Sequence, residues 1–284
     1  MSHPVPATLQ GHFTLRFTTK SPADTVAAKG KIAALIPELY RGADATGIIH
    51  YGRFIELDGI IYLLADYDGD LSHVLGAMAQ HLGPVLDPLL ALVSGAPPTP
   101  VAEHPAAFVK WAQSQCIPEL LGFVSCPGAT VQHIKSLAAA AGIAPEPYAG
   151  QQLALLPIMP MKGPVAVTIL EAAFKVLYGA LEKGANGVGT VHFVHLAEFP
   201  GQKVGFFTAY DGPWDKYLQD FATQMGPAFD LFFRFTATSP PFPTSKHAED
   251  FSAWVQAHEL KPLAFYAAYP GLQVQDIRTL LAGH

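Results

Sequence analysis

Two histidines in the second half of the chain, His192 and His195, have residue types suited to acid–base or metal chemistry. They are three residues apart in a segment that reads as a β-strand, which places them on opposite faces of that strand. The two therefore cannot bind one metal ion from a regular strand, but either one could face a cavity as a haem ligand or a proton acceptor. The alternative is a histidine that is hydrogen-bonded in a packed sheet, because buried polar groups usually have partners.

A second candidate group is Arg234, within the segment Leu-Phe-Phe-Arg-Phe, with Asp230 four residues before it. An arginine buried among aromatic residues must be paired, most simply with a carboxylate, and Asp230 is the candidate partner. The pair could fix the position of a helix, or it could hold an anionic group beside a cavity. His247 follows a proline-rich loop, where a surface role or a ligand role are both open.

These candidates lie in the second of two similar stretches of sequence. Residues 47–69 and 189–212 each read as two strands joined by a tight turn, and both end in Tyr-Asp-Gly. His50 then matches His192, and Arg53 takes the place of His195. The self-match continues without a gap into the closing helix of each half, so we predict an internal duplication.

Each copy predicts the order β-α-β-β-α-β, which is the ferredoxin-like unit, with a short inserted helix and a terminal helix. The Tyr-Asp-Gly ending predicts a cap for the next helix, which a Gly-Pro pair should interrupt in both copies. The predicted domains are a first half over 1–142, a linker rich in Pro and Gly over 143–152, and a second half over 153–284.

The fold class that follows is α+β, with two ferredoxin-like halves. Each half should build its own four-stranded antiparallel sheet with helices on one face. The hairpin strands are apolar on both faces, so the other face of each sheet needs cover. We predict that the two sheets pack face to face as a pseudo-dimer within one chain.

This architecture resembles the dimeric α/β-barrel superfamily in its duplicated single-chain form, as in the chlorite dismutases and dye-decolourising peroxidases. The resemblance covers essentially the whole chain. It implies an oxidoreductase, acting on a small apolar or aromatic molecule or on peroxide, with haem as cofactor. In that interpretation His192, His195, His247 and Arg234 would bind the cofactor, His195 or His247 would bind the metal, and Asp230 would assist catalysis. Cofactor-free monooxygenases also belong to the superfamily, and a non-catalytic binding or scaffold protein is the remaining alternative.

The amino-acid composition limits the kinds of molecule that the chain is expected to bind. Hydrophobic residues make up 50% of the 284 residues and charged residues 14%, with a net charge of -6. That balance argues against nucleic acid and favours a small apolar molecule or another subunit, so self-association is a further expectation. No signal peptide or membrane span is predicted, and Cys116 and Cys126 are expected to be reduced, buried thiols of a cytoplasmic protein.

The two halves differ in aromatic content. Where the first half has mainly Leu, Ile and Val, the second half has phenylalanine, and Ala91 stands where the second half has Arg234. Aromatic walls with a few polar groups are typical of a small-molecule pocket, so we predict the site in the second half. The aromatic residues concerned are Phe206, Phe207, Phe229, Phe232, Phe233 and Phe235.

Overall fold

The computed structural model describes residues 9–143 and 152–283, and these form two compact units. Unit 1 contains the described parts of 1–116, 127–144 and 262–269. Unit 2 contains the described parts of 117–126, 145–261 and 270–284. Residues 144–151 of the predicted linker lie outside the described residues.

Unit 1 is built on a four-stranded antiparallel sheet with the order β1-β3-β2-β9. Its central hairpin turns at Asp58 and Gly59, which both have positive φ, as a two-residue type I′ turn requires. The strands are β1 (Gln10–Phe17), β2 (Ile49–Leu57), β3 (Ile60–Asp68) and β9 (Ala264–Ala267).

Six helices accompany this sheet. The single helix expected between the first strand and the hairpin is two helices, because the chain leaves helical geometry at Leu35 (φ -105°, ψ 15°), just before Pro37 in the first turn of the second helix. Ser21 caps the first of them through a hydrogen bond from the backbone N–H of Asp24 at 3.2 Å. The helices are α1 (Pro22–Ala34), α2 (Ile36–Thr46), α3 (Leu71–His81), α4 (Gly83–Leu90), α5 (Pro105–Gln115) and α6 (Val131–Ala140).

Unit 2 is built on a five-stranded antiparallel sheet with the order β4-β7-β8-β5, and β6 also pairs with β8. The predicted strand over 153–159 is therefore two short strands on the same edge of β8. The strands are β4 (Glu119–Val124), β5 (Gln152–Leu155), β6 (Ile158–Pro160), β7 (Val191–Phe199) and β8 (Lys203–Asp211).

The fourth strand of each sheet comes from the other half of the sequence. Strand β9, near the C-terminus, pairs with β2 in unit 1, and strand β4 pairs with β7 in unit 2. The expectation that each half supplies all four of its own strands is wrong at this position. An apolar run predicts that a strand exists, but it does not determine which sheet edge satisfies the strand's hydrogen bonds.

Unit 2 has four α-helices among its described residues, and α8 runs without a break through Pro227. We predicted an interruption there. Unit 1 carries the same Gly-Pro pair and is interrupted, at Leu82 between α3 and α4. The same Gly-Pro pair gives two outcomes, so the pair alone does not decide whether the helix is interrupted. The helices are α7 (Pro164–Val188), α8 (Trp214–Phe233), α9 (Ala248–His258) and α10 (Val274–Ala282), with a 3-10 turn at Thr244–Lys246.

Helix α7 is long and apolar enough, by length and composition alone, to span a membrane. One face of this helix, with Leu170 and Phe174, is buried in the core of unit 2, while Val165 and Val176 are 68% and 84% exposed. A core helix with one open face passes the same test, so the finding is weak evidence for a membrane.

The two cysteines, Cys116 and Cys126, do not form a disulfide with each other. Each is half-buried, where we expected fully buried thiols.

Candidate functional site

His192 lies in a buried polar cluster at one end of the unit 2 sheet. Its Nε2 is 2.7 Å from Oδ1 of Asp211, and Nε2 of Gln152 lies 3.4 Å away from the same ring nitrogen. The amide of Gln152 donates to the carbonyl oxygen of Leu272 at 2.6 Å. The second oxygen of Asp211 accepts the backbone N–H of Val274, the first residue of α10, at 2.7 Å. This cluster joins the first strand, the hairpin and the closing helix.

Unit 1 contains the same arrangement. Nε2 of His50 is 2.9 Å from Oδ1 of Asp68, whose other oxygen accepts the backbone N–H of Val131 at 2.8 Å. Gln10 donates to Asp68 at 3.3 Å, and Nδ1 of His50 lies 2.8 Å from the hydroxyl of Tyr269. Because one arrangement holds a helix N-terminus in both units, we call the two sets the anchor clusters and assign them a structural role.

The anchor clusters also correct the interpretation of the Tyr-Asp-Gly endings. Asp68 and Asp211 do not cap the helix that follows them. Asp70 is the N-cap of α3, and Pro213 precedes α8 without a side-chain cap. The two aspartates accept hydrogen bonds from helices far along the chain, a contact that local sequence does not encode.

His195 is fully buried and faces away from the helix-covered side of its strand. Its ring centroid is 5.1 Å from that of Phe207. The neighbouring residues of β7, Val194 and Leu196, point to the opposite face of the sheet, as strand alternation requires.

Arg234 and Asp230 do not form the predicted buried pair. Asp230 accepts hydrogen bonds from both the backbone N–H and the hydroxyl of Thr244, at 2.8 and 2.5 Å. Arg234 is exposed, and its carbonyl oxygen accepts a hydrogen bond from Nζ of Lys162 at 2.7 Å. Arg234 is the C-cap residue of α8, directly after its last residue Phe233.

His247 is a third predicted ligand, and it precedes α9. Its Nδ1 is 3.3 Å from a carboxylate oxygen of Asp250, and both side chains are well exposed. His192, His195, Arg234 and His247 therefore lie in four different surroundings, and the functional roles predicted for them stay untested.

Sequence reasoning did not find the main cavity of unit 2, a cleft between the sheet and helices α7 and α8. It encloses about 510 Å³ of space, part of it open to solvent. It is lined by Phe174 and Tyr178 of α7, by Phe229 and Phe232 of α8 and by Phe206 of β8. The helical spacing of the apolar positions in α7 was the available signal, but it does not distinguish a cavity wall from a filled core.

The polar groups of the cleft are Tyr178 and Glu182, one turn apart on α7. Burial raises the pKa of the Tyr178 phenol, and the negative charge of Glu182 raises it further. Tyr178 is therefore a protonated hydrogen-bond donor at neutral pH. Among the described residues, no lysine, arginine or histidine lines this cleft, so this wall has no group that neutralises an anionic ligand.

These residues do not fit haem. Within residues 9–143 and 152–283, the cleft wall offers no histidine or cysteine as an axial ligand and no cation for the propionates. We therefore derive no step through haem.

Unit 1 has a different feature in the middle of its sheet, a buried ionic cluster of His12, Arg53 and Asp66. Nη2 of Arg53 is 2.5 Å from one carboxylate oxygen of Asp66, and Nδ1 of His12 is 2.7 Å from the other. Arg53 and Asp66 are both fully buried. Among the described residues, Nε and Nη1 of Arg53 have no hydrogen-bond partner.

Comparison with known proteins gives only distant likenesses. No family model matches the chain, and no curated protein matches it. Among solved structures, a candidate monooxygenase from Lactobacillus acidophilus NCFM is similar at 9% identity and a TM-score of 0.36, over 90% of this chain and 96% of the other. A candidate monooxygenase from Fusobacterium nucleatum is similar at 12% identity and 0.34, over 94% and 98%. An anthrone oxidase-like protein is similar at 12% identity and 0.32, over 92% and 94%. Likenesses this distant leave the function to be argued from the cleft itself.

Proposed function

We propose that the chain is an oxidoreductase that binds a small, neutral aromatic molecule in the unit 2 cleft and oxidises it with dioxygen. The observation that carries the proposal is an aromatic cleft whose polar groups are one phenol and one carboxylate. A cytoplasmic location and self-association stay predictions.

The choice of ligand follows from the walls. Phe174, Phe206, Phe229 and Phe232 offer ring faces and edges to a flat apolar molecule, and burial of that molecule drives binding. A carboxylate or phosphate group would lose its hydration without gaining a cation, so the ligand must be neutral.

The chemistry follows from Glu182 and Tyr178. A carboxylate can take a proton from an activated methylene group, and a protonated phenol can donate a hydrogen bond to the oxygen that gains charge. The carbon then gives its electrons to dioxygen. One oxygen atom becomes the new carbonyl oxygen, and the other leaves as water with the two hydrogens of the methylene group. This step needs no external reductant.

A carrier that does not turn its ligand over is the second candidate function. The observation that favours it is the half-exposed position of Tyr178 and the exposed position of Glu182, while the rest of the cleft wall is apolar. Such a wall can hold a molecule without acting on it.

Calorimetry tests the binding part of the proposal. We expect 1-naphthol to bind and 1-naphthoate, which has the same rings but is anionic, to bind at least tenfold more weakly. Equal binding of the two, or binding of neither, would refute the cleft as the site.

Oxygen uptake with anthrone, a neutral aromatic molecule with one activated methylene group, tests the reaction. We expect uptake that Glu182→Gln lowers by about 100-fold, the lower end of a general-base effect. Glu171→Gln is the matched control, because Glu171 lies on the same helix, pairs with Lys175 and is absent from the cleft wall. If 1-naphthol binds but no variant or wild type consumes oxygen, the carrier function replaces the enzyme.

A further inference from the structure

A second cavity lies next to the cleft in unit 2, with about 300 Å³ of space that protein atoms do not fill, part of it open to solvent. Phe206, Phe229 and Phe232 line both spaces. Met159 and Trp254 line only the second cavity, whose wall is apolar. Two spaces that share three side chains are separated by the thickness of those rings.

Phe206 is the side chain best placed to be the partition. It is half-buried, while Phe229 and Phe232 are 8% and 4% exposed. Its ring lies 5.8 Å from Phe229, which lines both spaces, and 6.0 Å from Phe221, which lines only the second cavity. Both contacts are edge-to-face, and Phe206 borders both spaces, so its ring is the candidate partition between them.

Unit 1 shows what fills the corresponding space there. Met159 pairs with Val204 in unit 2, and Phe17 pairs with Ile61 at the same register in unit 1. The ring of Phe17 contacts Phe54 at 6.2 Å and Trp111 at 5.7 Å. Methionine at this position is thinner than phenylalanine, and the second cavity lies beside it.

We propose that Phe206 sets the length of the ligand. The inference rests on the proposed function and names its substrate class more closely: a neutral molecule with one hydroxyl end at Tyr178 and an apolar tail that points toward Phe206. In the native chain the tail stops at the ring. When the ring is removed, the tail enters the second cavity.

A series of 4-alkylphenols with lengthening chains tests this by calorimetry. These probes are neutral at pH 7, because an unperturbed phenol has a pKa of about 10. In the native protein we expect affinity to rise by about fourfold for each methylene group that is buried, and then to level off when the tail reaches Phe206.

Phe206→Ala should move that limit. We expect the rise to continue through longer probes, so that the longest gain at least tenfold in affinity relative to phenol measured in the same variant. Phe206→Leu places the residue that unit 1 has at this register, Leu63, and should give a smaller gain with less risk to folding. Adding Met159→Phe to Phe206→Ala should cancel the gain, because the new ring fills the second cavity.

Leu63→Ala is the matched control. It removes a buried side chain from the same register of the other unit, and it should leave every probe affinity unchanged. Thermal unfolding of each variant identifies any that fail to fold, and Phe229→Leu then replaces it as a second way to thin the partition.

The outcomes separate the two proposals. If no alkylphenol binds to the native protein, the proposed function fails. If the short probes bind but affinity rises without a limit in the native protein, or levels off at one length in every variant, the proposed function stands and the role of Phe206 is overturned.

Discussion

Units 1 and 2 share a hairpin and an anchor cluster but differ in the side chains at the middle of the sheet. Both have a hairpin whose turn contains two residues with positive φ, and both tie a distant helix N-terminus to the hairpin through an anchor cluster. The middle of the sheet differs on both faces. On one face unit 1 buries Arg53 and Asp66 where unit 2 has His195 and Ala209, and on the helix-covered face unit 2 has an aromatic cleft. The shared parts are those that hold the fold, and the parts that differ are those that can carry a function.

The register shows how the difference arises. In unit 1, His12 pairs with Asp66 across two strands. At the same register of unit 2, Ala154 pairs with Ala209. Without the carboxylate of Asp66, a buried arginine would have no partner at this register. Unit 2 has His195 where unit 1 has Arg53. Unit 2 thus avoids the cost of desolvating an ion pair.

Asp66→Ala should give the largest effect of the substitutions considered. It leaves Arg53 as a buried charge without its carboxylate, so we expect a loss of about 3–5 kcal/mol in the free energy of unfolding. Urea denaturation followed by circular dichroism measures this.

The double variant Arg53→Met with Asp66→Leu is the control for that loss. It removes both charges and should recover most of the stability, because apolar groups of similar volume can replace a buried ion pair. A single-variant loss below about 1 kcal/mol would mean that the cluster is not desolvated, and the contrast between the units would then be one of shape only.

Gly205→Ala should give an intermediate effect in unit 2. A Cβ atom at this position would lie 2.1 Å from Cζ of Phe207 and 2.8 Å from Cε2 of Phe199. Unit 1 carries Tyr62 at the same register, so the glycine is required only where phenylalanine packs over the strand. We expect a loss of about 1–3 kcal/mol in the free energy of unfolding, from displaced rings.

Gly179→Ala is the control for Gly205. It lies within α7 with nothing within 4 Å of the added atom, so it should be neutral or stabilise the protein. Thermal unfolding of both variants checks the pair. Equal effects of the two substitutions would refute the steric argument.

The sequence predicted the positions of the helices and strands well, but it predicted poorly which of them pair or contact each other. Alternation and helical spacing located the hairpins, α5 and α6 within a residue or two, because those patterns are local. The edge at which β4 and β9 pair, and the contact of Asp68 with Val131, depend on residues far along the chain. The duplication and the packing of the two sheets stay predictions.

The candidate site shows the same limit. The aromatic residues of the second half pointed to the correct unit for the cleft, although Phe207 faces the other side of the sheet. The predicted pairing of Arg234 with Asp230 assumed one more turn of helix, but α8 ends at Phe233. Tyr178 and Glu182 were missed because an amphipathic helix gives the same spacing whether it borders a cavity or a packed core.

The smallest expected effect is on the pH dependence of stability, to which one glutamate in each unit contributes with opposite sign. Burial raises the pKa of Glu259 in unit 2, although its polar surroundings oppose the shift. In unit 1, the hydrogen bond from Lys29 and then the backbone N–H of Gly59 lower the pKa of Glu56.

The two shifts predict opposite pH dependence of stability. The contribution of Glu259 is fully present below its unfolded pKa, about 4.3, and is lost as pH rises through its folded value. The contribution of Glu56 is present above about 4.3 and is lost as pH falls through its folded value. Urea denaturation of Glu259→Gln and Glu56→Gln between about pH 3 and 7 measures both. Relative to the native protein, Glu259→Gln should gain stability as pH rises, and Glu56→Gln should lose it. Curves of the same sign would mean that Glu259 is solvated like a surface carboxylate. The apolar surroundings of unit 2 would then not extend to the C-terminal end of α9.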